Sequence, residues 1–261
     1  MYAQGIAHDT TIVDTNSNTN IDINNSKDAE RDNGFAEEIT QLPTWFTSGY
    51  NEIHGLGVAR VSRFDPSIGF KKALNKAVED LNSNLMITLY AETFDDGYTT
   101  SIFDEFSIKK QENAESVIKI DSAIYQNHAF YLVTSSQSDS MSASNISAWQ
   151  SDSAYINWKS TKFSEPFKAN DYYLASGHHK YSKYAPYISW TKAKMKALNR
   201  LGRYIKTSLS KLDKRHNDNL QSLTYATTKL IFNNVFIISR KVDDNNCYLT
   251  IAVHADDVTG I

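Results

Sequence analysis

The sequence predicts an α+β protein made of two tandem copies of a small domain, in each of which a long helix packs on an antiparallel sheet. Three observations lead to this prediction. Apolar residues recur at helical spacing in two long stretches, alternating apolar runs typical of strands follow each stretch, and the two halves come into register at a shift of about 120 residues. We place a polar tail at 1–41, the first domain at 42–134, a Ser-rich linker at 135–164 and the second domain at 165–261.

Composition limits the classes of protein that remain. The chain has 261 residues, a formal net charge of −3 and one cysteine. The small negative charge removes a general attraction to nucleic acid or to an anionic membrane. A single cysteine excludes an intrachain disulfide and a multi-cysteine zinc site. With no run of 18 apolar residues, the sequence predicts a soluble globular protein.

The first forty residues differ from the rest. Residues 14–34 are rich in Asn, Asp, Ser and Thr and contain no aromatic residue. Such a stretch cannot bury enough apolar surface to offset an ordering cost of about 1–2 kcal/mol per residue, so a disordered tail is predicted. Residues 1–5 resemble the remnant of a removed bacterial signal peptide, and an ordinary cytosolic N-terminus is the alternative.

The internal repeat is visible in three ordered blocks. Residues 66–70 and 186–190 share a proline, an isoleucine and a final aromatic residue, and Gly57 meets Gly177 upstream. Downstream, residues 130–133 match residues 247–250 at a shift of about 117. Between them, one apolar helix face recurs at the 120-residue shift: Ala73, Ala77 and Leu81 over Ala193, Ala197 and Leu201. Because alanine is small, we expect a sheet to approach each helix closely.

Alternating apolar runs predict the strands. They lie at 86–90, 116–120 and 129–134 in the first copy and at 235–239 and 248–253 in the second. The Asp-Asn cluster at 243–246 predicts a hairpin turn. Apolar spacing predicts a second helix at 217–231, with its counterpart at 103–114. The predicted order of elements in each copy is therefore a strand, a long helix, a strand, a second helix and a β-hairpin.

Three motifs of the first copy point to a known family. Pro43 and Trp45 form a Pro-x-Trp opening, Gly55 and Gly57 close a short strand, and an Ala-x-x-x-Ala-x-x-x-Leu helix spans 73–81. These motifs resemble the twenty-kilodalton bacterial surface lipoprotein family and the related N-terminal domain of flagellar assembly protein T. The resemblance covers residues 42–134 and 166–258, although the second copy lacks the Pro-x-Trp opening. It implies an exported envelope protein without catalytic residues, which acts by binding or assembly.

The residues with metal or nucleophile chemistry favour structural roles. His178 and His179 are adjacent on a predicted strand and would point to opposite faces, so no metal site is predicted there. The acidic cluster at 95–97 has the turn of a calcium loop but not its ligand spacing. Cys247 starts an apolar strand run, which predicts a buried, unreactive thiol, and His254 falls on the opposite face. We predict no catalytic residue, no metal and no cofactor.

Tyrosines and lysines concentrate between residues 172 and 190. Tyrosine offers a large rigid contact area at low entropic cost, which is typical of recognition surfaces. The predicted binding residues are Tyr181, Tyr184, Tyr187, Lys180 and Lys183. The counterpart loop at 63–68 is expected at the same end of the first copy. The alternative is that these tyrosines form a seam between the two copies.

We therefore predict a non-enzymatic, exported bacterial protein, periplasmic or associated with the outer membrane. It would act as a binding or assembly module for an envelope protein partner, with peripheral membrane association left open. No nucleic-acid partner is predicted, because half of the basic stretch at 192–214 is simply the polar face of an amphipathic helix. The alternatives are a flagellar or secretion-machine component and a metal-dependent hydrolase using His178 and His179. The sequence specifies neither the oligomeric state nor lipidation, since the one cysteine is Cys247.

Overall fold

The computed structural model describes residues 38–39, 41–43, 45–46, 52–95, 100–107, 117–135, 165–213, 224–243 and 245–260. Of residues 38–39, 90–95, 100–107, 206–213 and 224–228 only the backbone is described. Nearly all of the predicted tail and linker lies outside the described residues.

The described residues form two long helices and twelve strands, with one helix and six strands in each half of the chain. The elements are β1 (Glu38–Ile39), β2 (His54–Arg60), α1 (Pro66–Leu85), β3 (Met86–Asp95), β4 (Thr100–Ser107), β5 (Val117–Tyr125), β6 (His128–Ser135), β7 (Phe167–Ala169), β8 (Tyr172–Lys180), α2 (Pro186–Asp213), β9 (Thr224–Asn233), β10 (Phe236–Asp243), β11 (Asn246–His254) and β12 (Val258–Gly260).

The strands form three four-stranded sheets. The first has the order β1-β5-β6-β2, the second β10-β11-β8-β7 and the third β12-β9-β3-β4. All pairings are antiparallel except the short parallel pair of β1 and β5. The α+β class predicted from the sequence is thereby confirmed.

The third sheet takes two strands from each half of the chain. Strands β3 and β9 pair over ten residues, from Met86 opposite Asn233 to Asp95 opposite Thr224. Backbone hydrogen bonds also link the end of α1 to the turn between β9 and β10, because the N–H groups of Asn234 and Val235 donate to the carbonyls of Leu85 and Asn84. The domain boundaries predicted from the sequence stay a prediction. Among the described residues, backbone hydrogen bonds between β3 and β9 join the two halves of the chain.

The predicted alanine-lined helix faces are confirmed. Ala73 and Ala77 of α1 are fully buried, and a Cβ on Gly57 would overlap the backbone of both. In the second half a Cβ on Gly177 would overlap the backbone of Ala193 and Ala197 in the same way. Each helix therefore lies directly on a glycine of the strand that precedes it, closer than any side chain would permit.

The helix boundaries follow local chemistry. Asp65 caps α1 by accepting a hydrogen bond from the N–H of Ser67 (3.0 Å), and Pro66 occupies the first turn, where no donor is needed. The helix ends at Met86, whose extended backbone begins β3.

Equivalent hairpins complete the two halves. Strands β5 and β6 join through Gln126 and Asn127, which both have positive φ (49° and 59°), as a two-residue hairpin turn requires. The Asn127 carbonyl accepts from the N–H of Val61 (2.8 Å), and the Asn245 carbonyl accepts from the N–H of Tyr181 (2.7 Å). The predicted hairpin at 243–246 is confirmed by the pairing of Asp243 with Asn246.

Strand register corrects the predicted alignment of these hairpins. Gly57 lies opposite Tyr131, and Gly177 lies opposite Leu249, so β6 and β11 are related by 118 residues rather than 117. A shift of one residue in a strand moves every side chain to the other face. The irregularities in β5 at 119–121 and in β10 at 237–239 obey the same 118-residue shift.

The predicted short helix at 217–231 is wrong where the structure describes it, because residues 224–231 belong to β9. Its predicted counterpart at 103–114 is likewise strand over 103–107, within β4. Burial alternates along the end of β9, with Leu230 and Phe232 buried and Lys229 and Ile231 less so. The β-branched and aromatic residues of this segment pair with β3, and that pairing overrides the apolar spacing.

The largest core cluster draws on both halves. It contains Leu56 and Phe130 from the first half and Trp190 and Leu249 from the second. The Phe46 ring lies edge-on between the halves, 5.6 Å from the Phe130 ring centroid and 5.1 Å from that of Trp190. Among the described helices, none is long and apolar enough to cross a membrane.

We expect Gly57→Ala and Gly177→Ala each to destabilise the protein by about 3 kcal/mol or more, because the added methyl group would collide with helix backbone. Urea denaturation measures the effect. Gly202→Ala in α2 is the matched control, since its Cβ would meet the flexible end of Leu89 at 3.1 Å, and helix propensity favours alanine. Equal stability of Gly57→Ala and Gly202→Ala would contradict the close packing.

Candidate functional site

The five predicted binding residues lie at the junction between β8 and α2. Lys180 ends β8 and is exposed, and Lys183 and Tyr184 project from the loop into solvent. Tyr181 and Tyr187 are only partly exposed and face the protein. The structure therefore divides the predicted set into a surface part and a packed part.

Tyr181 and Tyr187 belong to the packed part. The Tyr181 ring lies 6.4 Å from that of Trp190, and burial raises the pKa of its phenol to about 12. Lys76 of α1 places its Nζ 4.7 Å from the centroid of the Tyr187 ring, and burial raises the pKa of Tyr187 as well. Replacing these two tyrosines would disturb packing between the halves, which makes Tyr184 the tyrosine of the three that is open to a partner.

The first half presents a matching surface. Phe64 is 102% exposed and Ile68 48%, while Tyr184 is 80% exposed and Ile188 54%. The two aromatic residues are 120 residues apart, and so are the two isoleucines. A fully exposed phenylalanine contributes nothing to the hydrophobic core. An exposed aromatic residue at the matching position of the second half therefore indicates a role at the surface.

Exposed cations surround each apolar pair at the same spacing. We call the two surfaces the first tip and the second tip. The first tip consists of Arg60, Arg63, Phe64, Ile68 and Lys72, and the second tip of Lys180, Lys183, Tyr184, Ile188 and Lys192. The sequence predicts that the two loops lie at the same end of the two copies, but the exposed pattern was not among the predictions. Its signal in the sequence is the overlay of Arg63 and Phe64 on Lys183 and Tyr184.

Local hydrogen bonds hold both tips in place. In the first, the Ser62 hydroxyl accepts from the N–H groups of Phe64 (3.2 Å) and Asp65 (3.3 Å). In the second, the N–H of Ser182 donates to the Ser189 hydroxyl (3.0 Å) and the Ser182 carbonyl accepts from Ala185 (3.1 Å). The exposed aromatic residues are thus presented by ordered turns.

A buried ionic cluster lies between the halves. Lys194 of α2 is 4% exposed and donates to Asp80 (2.5 Å), Ser83 (2.6 Å) and Asn84 (2.8 Å), all on α1. Its ammonium group therefore has three hydrogen-bond acceptors, the number that it can use. Asp80 also accepts from the N–H of Leu56 (2.9 Å) in β2.

The charge on Asp80 is stabilised by these contacts. Burial alone would raise the pKa of its carboxyl group, but the Lys194 ammonium, its hydrogen bond, the Leu56 N–H and the Arg240 guanidinium together lower the pKa below its usual value. Asp80 is therefore a carboxylate at neutral pH.

His54 and Arg240 extend the cluster. Burial, followed by the charge of Arg240, lowers the pKa of His54 to about 3, so its imidazole is neutral. The Arg240 guanidinium can only donate, so His54 Nε2 (3.0 Å) accepts and its Nδ1–H donates to the Glu52 carbonyl (3.0 Å). Burial lowers the pKa of Arg240 to about 10, which leaves it charged, and it lies 5.5 Å from the centroid of the Phe46 ring.

The cluster has little room for a ligand. A small cavity beside it, lined by Asp80, Tyr187, Lys194 and Arg240, holds about one water molecule. Arg240 lines this cavity, and its Nη1 is buried without a hydrogen-bond partner among the described residues. The arrangement joins the halves and leaves no space for a substrate in this cavity.

The candidate metal residues do not converge in the described part of the chain, where no group of three His, Cys, Asp or Glu residues could hold an ion. His178 stacks on Tyr248 at 6.0 Å, and burial followed by nearby cations lowers the pKa of both His178 and His179. Asp96 and Gly97 of the acidic cluster at 95–97 lie outside the described residues.

Cys247 is buried, as predicted. Its thiol donates toward the carbonyls of His179 and Ser189 (3.3 Å each), and burial raises its pKa to about 11. A thiol with a raised pKa is a poor nucleophile at neutral pH.

No protein-family model, curated protein or solved structure matches the chain. The family resemblance therefore stays a prediction.

We expect stability to fall as pH decreases from about 6.5 toward 4.5, because the unfolded chain protonates His54 in this range and the folded chain does not. One such group changes the free energy of unfolding by up to about 1.4 kcal/mol per pH unit. His54→Gln should reduce this slope, and His254→Gln, at a partly exposed position, should retain it. Urea titrations at each pH measure the slopes, and identical slopes for all three proteins would contradict the assignment.

We expect Lys194→Met to destabilise the protein by about 3 kcal/mol, because it leaves the Asp80 carboxylate without its cation. Lys196→Met removes an exposed charge from the same helix and should cost little. The double variant Asp80→Asn/Lys194→Met should lose less than the sum of the two single variants, as a double-mutant cycle would show. Additive losses would mean that the two groups are not coupled.

Proposed function

We propose that this protein is a non-enzymatic binding or assembly module of the bacterial envelope, built by duplication of one α+β unit. Four equivalences support the duplication: the glycines beneath the helices, the hydrogen bonds from Val61 and Tyr181, the strand irregularities, and the exposed tips. Chance similarity between unrelated halves would not repeat register, irregularity and exposure together.

The proposed relationship is to the twenty-kilodalton surface lipoprotein family and the N-terminal domain of flagellar assembly protein T. Its support is the Pro-x-Trp opening and the Gly-x-Gly strand, whose residues take specific packing roles here. Pro43 accepts through its carbonyl from the N–H of Phe46 (3.0 Å), and Gly55 and Gly57 lie under α1. Export to the periplasm or outer membrane is part of the same proposal.

The observation that carries the proposal is the repeated tip. Phe64 and Tyr184 do not stabilise the fold through burial, because a large apolar side chain gains that free energy only when it is removed from water. Both halves nevertheless present an aromatic residue, an isoleucine and three cations at matching positions. Such surfaces are typical of interaction sites.

We expect a photo-crosslinking residue at position 64 or 184, in the full chain expressed in its native organism, to form specific adducts with an envelope component. The same residue at position 118 is the matched control, since Ile118 is an exposed apolar residue (39%) on β5, away from both tips. Gel mobility and mass spectrometry identify the adducts.

Equal labelling from all three positions, or recovery of the protein solely in the cytosolic fraction, would contradict the proposal. The unmodified chain, fractionated in parallel, shows whether location depends on the probe.

A further inference from the structure

We propose that the two tips bind an anionic lipid surface, with Phe64 and Tyr184 entering the headgroup region and the flanking cations contacting lipid phosphates. This inference rests on the proposed function in taking the tips as the contact sites, and it adds the chemical class of the partner.

Local charge supports an anionic partner. Residues 60–72 contain four cations and one carboxylate, and residues 180–192 contain three cations and no carboxylate, so each segment carries a formal +3 in a chain of −3 overall. The one carboxylate, Asp65, is engaged as the cap of α1. Asp243, two strands from Lys180 in the second sheet, offsets part of this charge at the second tip. The net charge of the whole chain disfavours attraction to an anionic membrane. Salt screens charges that are more than about 10 Å apart, however, so attraction at contact distance depends on the charge of the contacting surface.

The differences between the tips favour lipid over a shaped protein pocket. Arg60 and Arg63 of the first tip correspond to Lys180 and Lys183, and Phe64 corresponds to Tyr184. Arginine and lysine are not interchangeable where a planar, bidentate contact is read. The two tips therefore share positive charge and an aromatic ring, but the cationic side chains differ in hydrogen-bonding geometry. A fluid layer of phosphates would accept either geometry.

The shape of the tips leads to the same choice. Phe64 is fully exposed and Tyr184 nearly so, which means that they project from the surface rather than line a groove. Specific protein interfaces bury about 800 Å² on each partner with complementary shape, whereas an isolated projecting ring gains most by entering a soft medium.

The isoleucines distinguish lipid from nucleic acid. A nucleic acid would use the aromatic rings for stacking and the cations for phosphates. Ile68 and Ile188 cannot stack on a base, yet both stand exposed among the cations. Aliphatic side chains beside cations are typical of segments that lie in a membrane interface.

The experiment measures co-sedimentation of the full chain with phosphatidylcholine vesicles, with and without phosphatidylglycerol. We expect binding only when phosphatidylglycerol is present, with affinity that falls as ionic strength rises. Arg63→Ser and Lys183→Ser should each weaken binding about fivefold, the effect of one cation near an anionic surface. Phe64→Ser/Tyr184→Ser should weaken binding more than tenfold, because two large aromatic side chains no longer enter the interface.

The matched control is Ile118→Ser, which removes an exposed apolar residue outside the tips and should bind as the parent does. Thermal unfolding confirms that each variant folds. Absence of binding to phosphatidylglycerol vesicles, equal binding to neutral vesicles, or unchanged binding by the double tip variant would each overturn the proposal. Crosslinks from positions 64 and 184 to a protein, without vesicle binding, would overturn it while leaving the proposed function in place.

Discussion

The close approach of each helix to a glycine in the preceding strand is the constraint on which the rest of the structure depends. At Gly57 and Gly177 the helix backbone occupies the space of a side chain. This contact requires alanines on the facing helix surface, and it sets the depth at which the larger residues of each helix pack. It also fixes where each helix begins relative to its sheet, and therefore where the loop before the helix leaves the body of the protein.

The halves are held together by apolar and ionic contacts of different character. Phe46 fills the space between Phe130 and Trp190, and the ten-residue pairing of β3 with β9 continues one sheet across both halves. Asp80 and Lys194 add a contact with strict geometry, because each charge is buried and would be costly without the other. Burying ions seldom adds much net stability, but it disfavours arrangements of the halves that leave either ion unpaired.

The tips follow from this architecture. Each loop connects the strand that contains the glycine, β2 or β8, to the start of the following helix. Hydrogen bonds to Ser62 in the first loop and within 182–189 in the second order these loops. Tyr181 and Tyr187 of the second loop pack against Trp190 and Lys76 of the same protein. The pattern common to both halves remains at the surface, and the proposed contact surface is based on this pattern rather than on the density of tyrosines.

The sequence by itself determined the long helices, their buried alanine faces, the hairpins and the burial of Cys247, because each depends on a local period or turn residue. Only the tertiary structure decided that residues 224–231 form a strand, since their apolar spacing fits either period and their partners in β3 lie 129 to 143 residues away in the chain. It also decided the 118-residue register and the ionic cluster. Pairing across the chain and the burial of one charge against another are properties of the folded arrangement, and no local pattern encodes them.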